Sequence, residues 1–115
     1  MIFSDVLTVT RTAAETINSL GRAVPGATST FTAICSVQRP QGRLLEKLLE
    51  GFGTTDFWHV DTRTQLRTFD EQAGLPADTM VIDGLTYEVH QVEYHRAVIP
   101  HYECLVKRVN AGRSP

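Results

Sequence analysis

Four histidines, His59, His90, His95 and His101, are the side chains best suited to chemistry in this sequence, and metal binding is the chemistry they would do. A structural zinc site usually draws on local pairs such as HxH, HxxxH or CxxC, whose spacing holds two ligands together. The sequence contains no such pair. His90 and His95 can approach His101 only across a hairpin, so surface or rim positions are the simpler expectation. No metal or other cofactor is expected.

The nucleophiles lead no further. Cys35 lies among Ile34, Ser36 and Val37 in a strand-like run, where a thiol acts as a small hydrophobe more than as an activated thiolate. Ser36 has no GxSxG elbow around it. Adjacent carboxylates occur at Asp70-Glu71, in a polar connection where solvation is their expected role. No phosphate-binding loop or dinucleotide fingerprint is present. The reading is of a protein that is not an enzyme.

Short strands must position whatever this chain does. Val6 to Thr10 alternates and is β-branched, as a first strand or an extended arm over residues 1–11 would be. Residues 12–20 suit one or two helical turns before Gly21, Pro25 and Gly26 impose a turn-rich connection. Thr28 to Gln38 is a clearer strand, with Phe31, Ala33, Cys35 and Val37 on one face. Ile34 interrupts the polar face, which suggests that this face is covered too. Arg43 to Glu50 has helical spacing but is too short to hold a helix in water without docking, and Gly51 and Gly53 should end it. A strand follows from about Asp56 to Thr62, and then a polar connection over residues 65–78.

The strongest local signal is Thr79-Met80-Val81-Ile82, Asp83-Gly84, Leu85-Thr86-Tyr87-Glu88-Val89. Asp-Gly favours a type I′ hairpin, which needs positive φ at both central residues. A last strand after Pro100 alternates Tyr102, Cys104 and Val106 against Glu103 and Lys107. The tail over residues 109–115 should be loose. Five or six short antiparallel strands with a short helical insert predict an all-β fold, a small β-barrel, with one domain spanning residues 1–115.

Composition narrows the function classes. The 115 residues suffice for one core, with 42% hydrophobic and 21% charged residues and a net charge of −2. The basic residues are scattered and form no stripe for nucleic acid. No apolar run reaches the ~20 residues that a membrane helix needs, and Met1-Ile2-Phe3-Ser4 does not read as a secretory leader. Cys35 and Cys104 are expected as buried free thiols in a reducing cytoplasm. Nucleic-acid binding by a small barrel would need exposed aromatics interleaved with Arg or Lys. Phe31, Phe57, Tyr87 and Tyr102 instead fall at core positions. Trp58, opposite in direction to Phe57, is expected to be exposed or, preferably, at a subunit interface.

The order of motifs carries a resemblance. A strand ending Ser36-Val37-Gln38-Arg39-Pro40 is followed by Leu44-Leu45 to Glu50-Gly51, then Asp61 to Thr68, then Ala77 to Val89 and His101 to Arg108. Over roughly residues 20–108 this is similar to the head-completion family of tailed bacteriophages, also called stopper, head-closure or head–tail connector proteins. The resemblance implies a virion protein of the neck, made in the bacterial host cytoplasm, whose barrel assembles as a hexameric or dodecameric ring. Portal or adaptor proteins would lie on the head side, tail-terminator or tail-tube proteins on the tail side, and packaged DNA would occupy the channel without sequence preference.

It further implies a long channel-facing loop at about residues 39–54. Arg39, Gly42, Arg43, Glu46, Lys47, Glu50, Gly51 and Gly53 would form this gate, with the glycines as hinges. The alternating charges predict ion pairs between subunits in place of a DNA clamp. The same segment also reads as an amphipathic helix plugging one end of the barrel. Trp58, Arg63, Arg67, Asp70 and Glu71 are the interface candidates. The alternative functions are a tail-terminator or adaptor of the same connector, or a small nucleic-acid-binding barrel.

Overall fold

The turn at Asp83-Gly84 takes the type I′ form, with φ of 51° and 78°. It joins β6 (Thr79–Ile82) to β7 (Leu85–His95), pairing Met80 with Tyr87 and Ile82 with Leu85. The computed structural model describes residues 3–52, 56–96 and 98–109. Its other elements are β1 (Asp5–Thr12), β2 (Thr16–Ile17), β3 (Ala23–Val24), β4 (Thr28–Gln38), α1 (Gly42–Phe52), β5 (Phe57–Thr62) and β8 (His101–Arg108).

Six strands close an antiparallel barrel in the order β1-β4-β5-β8-β7-β6. A six-stranded barrel is narrow enough for side chains to fill it. Val9, Ala33, Cys35, Val60, Met80, Ile82, Tyr87, Val89, Cys104 and Val106 do so, all buried. The seam is uneven. β1 pairs with β4 from Asp5↔Cys35 to Thr12↔Thr28, but with β6 only through Val9↔Met80 and Thr10↔Thr79. In β7 a bulge between Val89 and Gln91 shifts the inward set from Tyr87 and Val89 to Val92.

Several expectations give way here. Residues 12–20 are not helical: β2 and β3 form a two-stranded ribbon, Thr16↔Val24 and Ile17↔Ala23, that prolongs the β1–β4 hairpin. Asn18 closes its tip, its Oδ1 accepting from the N–H groups of Leu20 and Arg22. At the base Gly26 passes so close that a Cβ there would lie 2.0 Å from the carbonyl oxygen of Ala13. The stretch read as a first strand or an arm is a strand of the barrel from Asp5 onward, while Met1 and Ile2 lie outside the described residues.

The helix begins and ends beyond the expected range. It runs through Gly51 to Phe52, and Gly53 lies outside the described residues. It packs on the outer wall, through Leu44 against Phe57 and Leu105, and does not plug an end. That contact reverses the reading of β5. Phe57 is fully buried on the outside of the barrel under α1, whereas Trp58 turns inward against the barrel core.

A different segment belongs to the core. The polar connection after β5 exposes Asp70 and Glu71, yet it buries Leu66 with the barrel's interior residues. Asp78, fully buried, holds the segment: Arg11 donates to its two oxygens at 2.9 and 2.7 Å, and the N–H of Arg67 donates at 2.7 Å. The Arg67 guanidinium donates to the carbonyls of Pro76 and Thr12.

Candidate functional site

Alternation along a strand sends every second side chain outward. On three adjacent strands that outward row carries no charge. Val6, Thr8, Thr10 and Thr12 on β1 face Ile34, Thr32, Thr30 and Thr28 on β4, and Thr79 and Val81 continue the row on β6. Val6, Ile34 and Val81 are each more than half exposed, at 65%, 60% and 57%. A cleft of about 420 Å³ follows the short β1–β6 seam, lined by Val6, Thr8, Met80 and Val81. The row runs on into the ribbon, where Ile17, Leu20 and Val24 are exposed. Ile34 therefore does break the polar face, but among the described residues nothing covers it.

The opposite wall, formed by β5, β8 and β7, has another character. Strand register places Asp61, Glu103 and Glu93 side by side in one outward row, and pairs His95 with His101 in the next. His59 Nε2 lies 3.2 Å from Asp61 Oδ1, and His95 Nε2 lies 2.8 Å from Glu103 Oε2. The rings of His95 and His101 stack with centroids 5.5 Å apart. His101 Nδ1 donates to the carbonyl of Ile99 at 2.8 Å, which leaves its Nε2 facing Glu103 Oε1 at 3.6 Å. Asp61 Oδ1, His95 Nε2 and His101 Nε2 are all buried without an aligned hydrogen bond. A cleft of about 210 Å³ opens beside this cluster, lined by Leu44, His59, Gln91, Glu93 and Glu103.

Searching for local histidine pairs misses this constellation, because residues far apart in sequence meet by strand pairing. The expected approach of His95 to His101 does occur. His90 points elsewhere and meets the edge of the Phe57 ring at 6.2 Å.

The predicted site residues are dispersed. Arg43, Glu46, Lys47 and Glu50 are exposed on α1, with Gly42 at its start at a φ of 61°. Arg39 braces β5: its guanidinium donates to the carbonyl of Phe57 at 3.1 Å and lies 3.8 Å over the Trp58 ring. Arg67 is committed to the internal latch, so it offers no free cation to a partner. Arg63 is exposed with its guanidinium over Phe3. Asp70 and Glu71 are exposed on a turn that Asp70 itself caps, its Oδ1 accepting from the N–H of Ala73 at 3.1 Å.

Both cysteines are free and buried. Burial is the main cause that pushes the Cys35 thiol up to about 11 and the Cys104 thiol up to about 12, so neither is a nucleophile at neutral pH. Among the described residues no helix is long and apolar enough to cross a membrane. No protein-family model matches the sequence, and none of the curated proteins compared with it matches either.

Proposed function

We propose that this chain is a structural, non-catalytic subunit of the neck of a tailed bacteriophage, forming a ring beneath the portal and adaptor that closes the DNA channel and receives the tail. One observation carries the reading: the uncharged outer face of β4, β1 and β6, which continues into the apolar tip of the β2–β3 ribbon. An exposed uncharged, partly apolar surface of this extent marks a site that another protein covers. A ring of identical subunits covers it, each protomer presenting its hairpin to a different surface of the next.

Other features agree with a ring. The barrel is filled by side chains, so DNA would pass along the axis between subunits and not through any one of them. Helix α1 carries Arg43 and Lys47 among Glu46 and Glu50, and a lining of balanced charge lets DNA slide where a basic one would grip it. Closing the channel with residues 39–54 would require Leu44 to leave Phe57 and Leu105, or the whole subunit to turn α1 toward the axis. Trp58 packs partly against the barrel core with Arg39 over its ring, which leaves it less open to stacking than a nucleic-acid-binding barrel would want.

Cryo-electron microscopy of the virion's neck tests this reading. The expected result is a closed ring of this chain between portal and tail, with the β1–β4 hairpins at the subunit boundaries. A ring with an open channel and α1 away from the axis would assign the adaptor or tail-terminator role instead. Absence of the chain from the virion overturns the proposal. Ile34→Lys, a fully outward change, should abolish assembly while leaving the unfolding temperature within a few degrees of the parent.

A further inference from the structure

We propose that His59, Asp61 and Glu103 form a binding site for one divalent transition-metal ion of the zinc class, on the outer wall of the barrel beneath α1. This inference does not depend on the neck assignment. One imidazole nitrogen and two carboxylates are donors that zinc accepts. Each of the three offers one ligand atom, and these atoms lie within 4.8 Å of one another. His59 Nε2 and Asp61 Oδ1, 3.2 Å apart, are already spaced as two corners of a coordination tetrahedron. Bonds of about 2.0–2.1 Å give an edge of roughly 3.3 Å. Glu103 supplies the third ligand atom within the same 4.8 Å.

The state of Asp61 is the second argument. Its side chain is only 2% exposed. Gln38 Nε2 donates to Oδ2 at 3.3 Å, while Oδ1 has no aligned donor. A buried carboxylate oxygen left without a donor is destabilising, and a bound cation relieves this. The neighbouring polar groups have the same need. His101, fixed through its Nδ1–H on the Ile99 carbonyl, points a bare Nε2 toward Glu103, as metal-site histidines are oriented by a backbone carbonyl. The fourth coordination position would open into the cleft beside His59, Glu93 and Gln91. An ion there would clamp β5 to β8 where helix α1 docks.

Glu93, His95 and Glu103 form a second trio that shares Glu103. It is the more exposed of the two, with Glu93 65% exposed, so the Asp61 trio is the stronger site. The test uses the untagged full chain, stripped with a chelator and titrated with Zn²⁺ against a chromogenic competitor. Co²⁺ then reports the ligand geometry through its visible absorption. The expected result is one ion per chain and an intense tetrahedral cobalt spectrum. Asp61→Asn, His59→Gln and Glu103→Gln should each weaken Zn²⁺ by at least about tenfold. Glu103→Gln, at a partly exposed position, keeps the test informative if Asp61→Asn fails to fold. His90→Gln, whose ring lies against Phe57 and outside the trio, should leave affinity within about twofold of the parent, whereas His95→Gln, which removes the neighbour 2.8 Å from Glu103, should weaken it less than His59→Gln does. Failure of the parent chain to bind Zn²⁺, or binding lost with His95→Gln but kept in His59→Gln, overturns the proposal.

Discussion

Removing the positive half of the Arg11–Asp78 latch should destabilise the barrel more than neutralising its negative half. Asp78 is fully buried, while Arg11 remains 35% exposed. In Arg11→Met the carboxylate stays buried and keeps one donor described here, the N–H of Arg67 at 2.7 Å. Breaking a buried pair this way costs about 3–5 kcal/mol. The partial exposure of Arg11 screens the pair, so about 2–3 kcal/mol is expected. In Asp78→Asn the amide oxygen can take the place of Oδ2 and still accept from Arg67 N–H and Arg11 Nη2. The amide nitrogen then faces Arg11 Nε–H, donor against donor, so that contact is lost and the Nε–H of the partly exposed Arg11 is left to water. That change should cost about 1–1.5 kcal/mol. Urea unfolding followed by the fluorescence of the single tryptophan, Trp58, measures both, with the slope against urea unchanged. In thermal melts Arg11→Met should fall roughly 8–12 °C, at about 4 °C per kcal/mol for a domain of this size. A cost for Asp78→Asn equal to or above that of Arg11→Met would refute the argument that burial of the carboxylate dominates.

Two further outcomes follow from packing and from burial. Gly26→Ala should lower stability by about 2 kcal/mol or more in the same unfolding assay, since its methyl group would overlap the backbone of Ala13; an unchanged midpoint would mean that the ribbon base moves freely. The thiols predict a pH dependence. Well below pH 9 both are neutral in the folded and unfolded chain, whereas from about pH 8.5 upward the unfolded chain increasingly releases protons that the native thiols hold up to about 11 and about 12. Native stability should therefore fall as pH rises above 9, by up to about 1.4 kcal/mol per pH unit for each thiol. A Cys35→Ala, Cys104→Ala chain should show a shallower fall than the parent between pH 8.5 and about 10; identical slopes would contradict the buried-thiol assignment.

What can be read in the sequence follows the range of the interactions that decide each element. The Asp83-Gly84 hairpin is legible because its turn chemistry is contained in two residues. The alternation of β4 and β8 is equally local, and these strands lie where expected. Phe57 and Trp58 are misassigned because both faces of β5 are covered, one by the barrel core and the other by α1. Alternation reports that two faces differ, but not which of two apolar neighbours turns inward. Residues 12–24 hide a ribbon because two-residue strands are shorter than any period. The cluster of His59, Asp61, Glu93, His95, His101 and Glu103 is illegible for a related reason. Its members meet only through the register of β5 with β8 and of β8 with β7, and that register is a property of the closed barrel. Arg67 carries no local sign that it serves Pro76 and Thr12 instead of a partner.

The strand order has a consequence for how the protein is made. β8, the last strand of the barrel in chain order, lies between β5 and β7 and pairs with both. Until it leaves the ribosome, β1-β4-β5 and β6-β7 are two separate pieces held together by little more than the two-pair seam between β1 and β6. Each would present apolar interior side chains to water, so the nascent chain has no stable half-way state and must close the cylinder only after release of His101 to Arg108. A ribosome stalled short of that strand would hold an aggregation-prone intermediate. Premature termination anywhere before it should yield insoluble protein and no truncated but functional barrel.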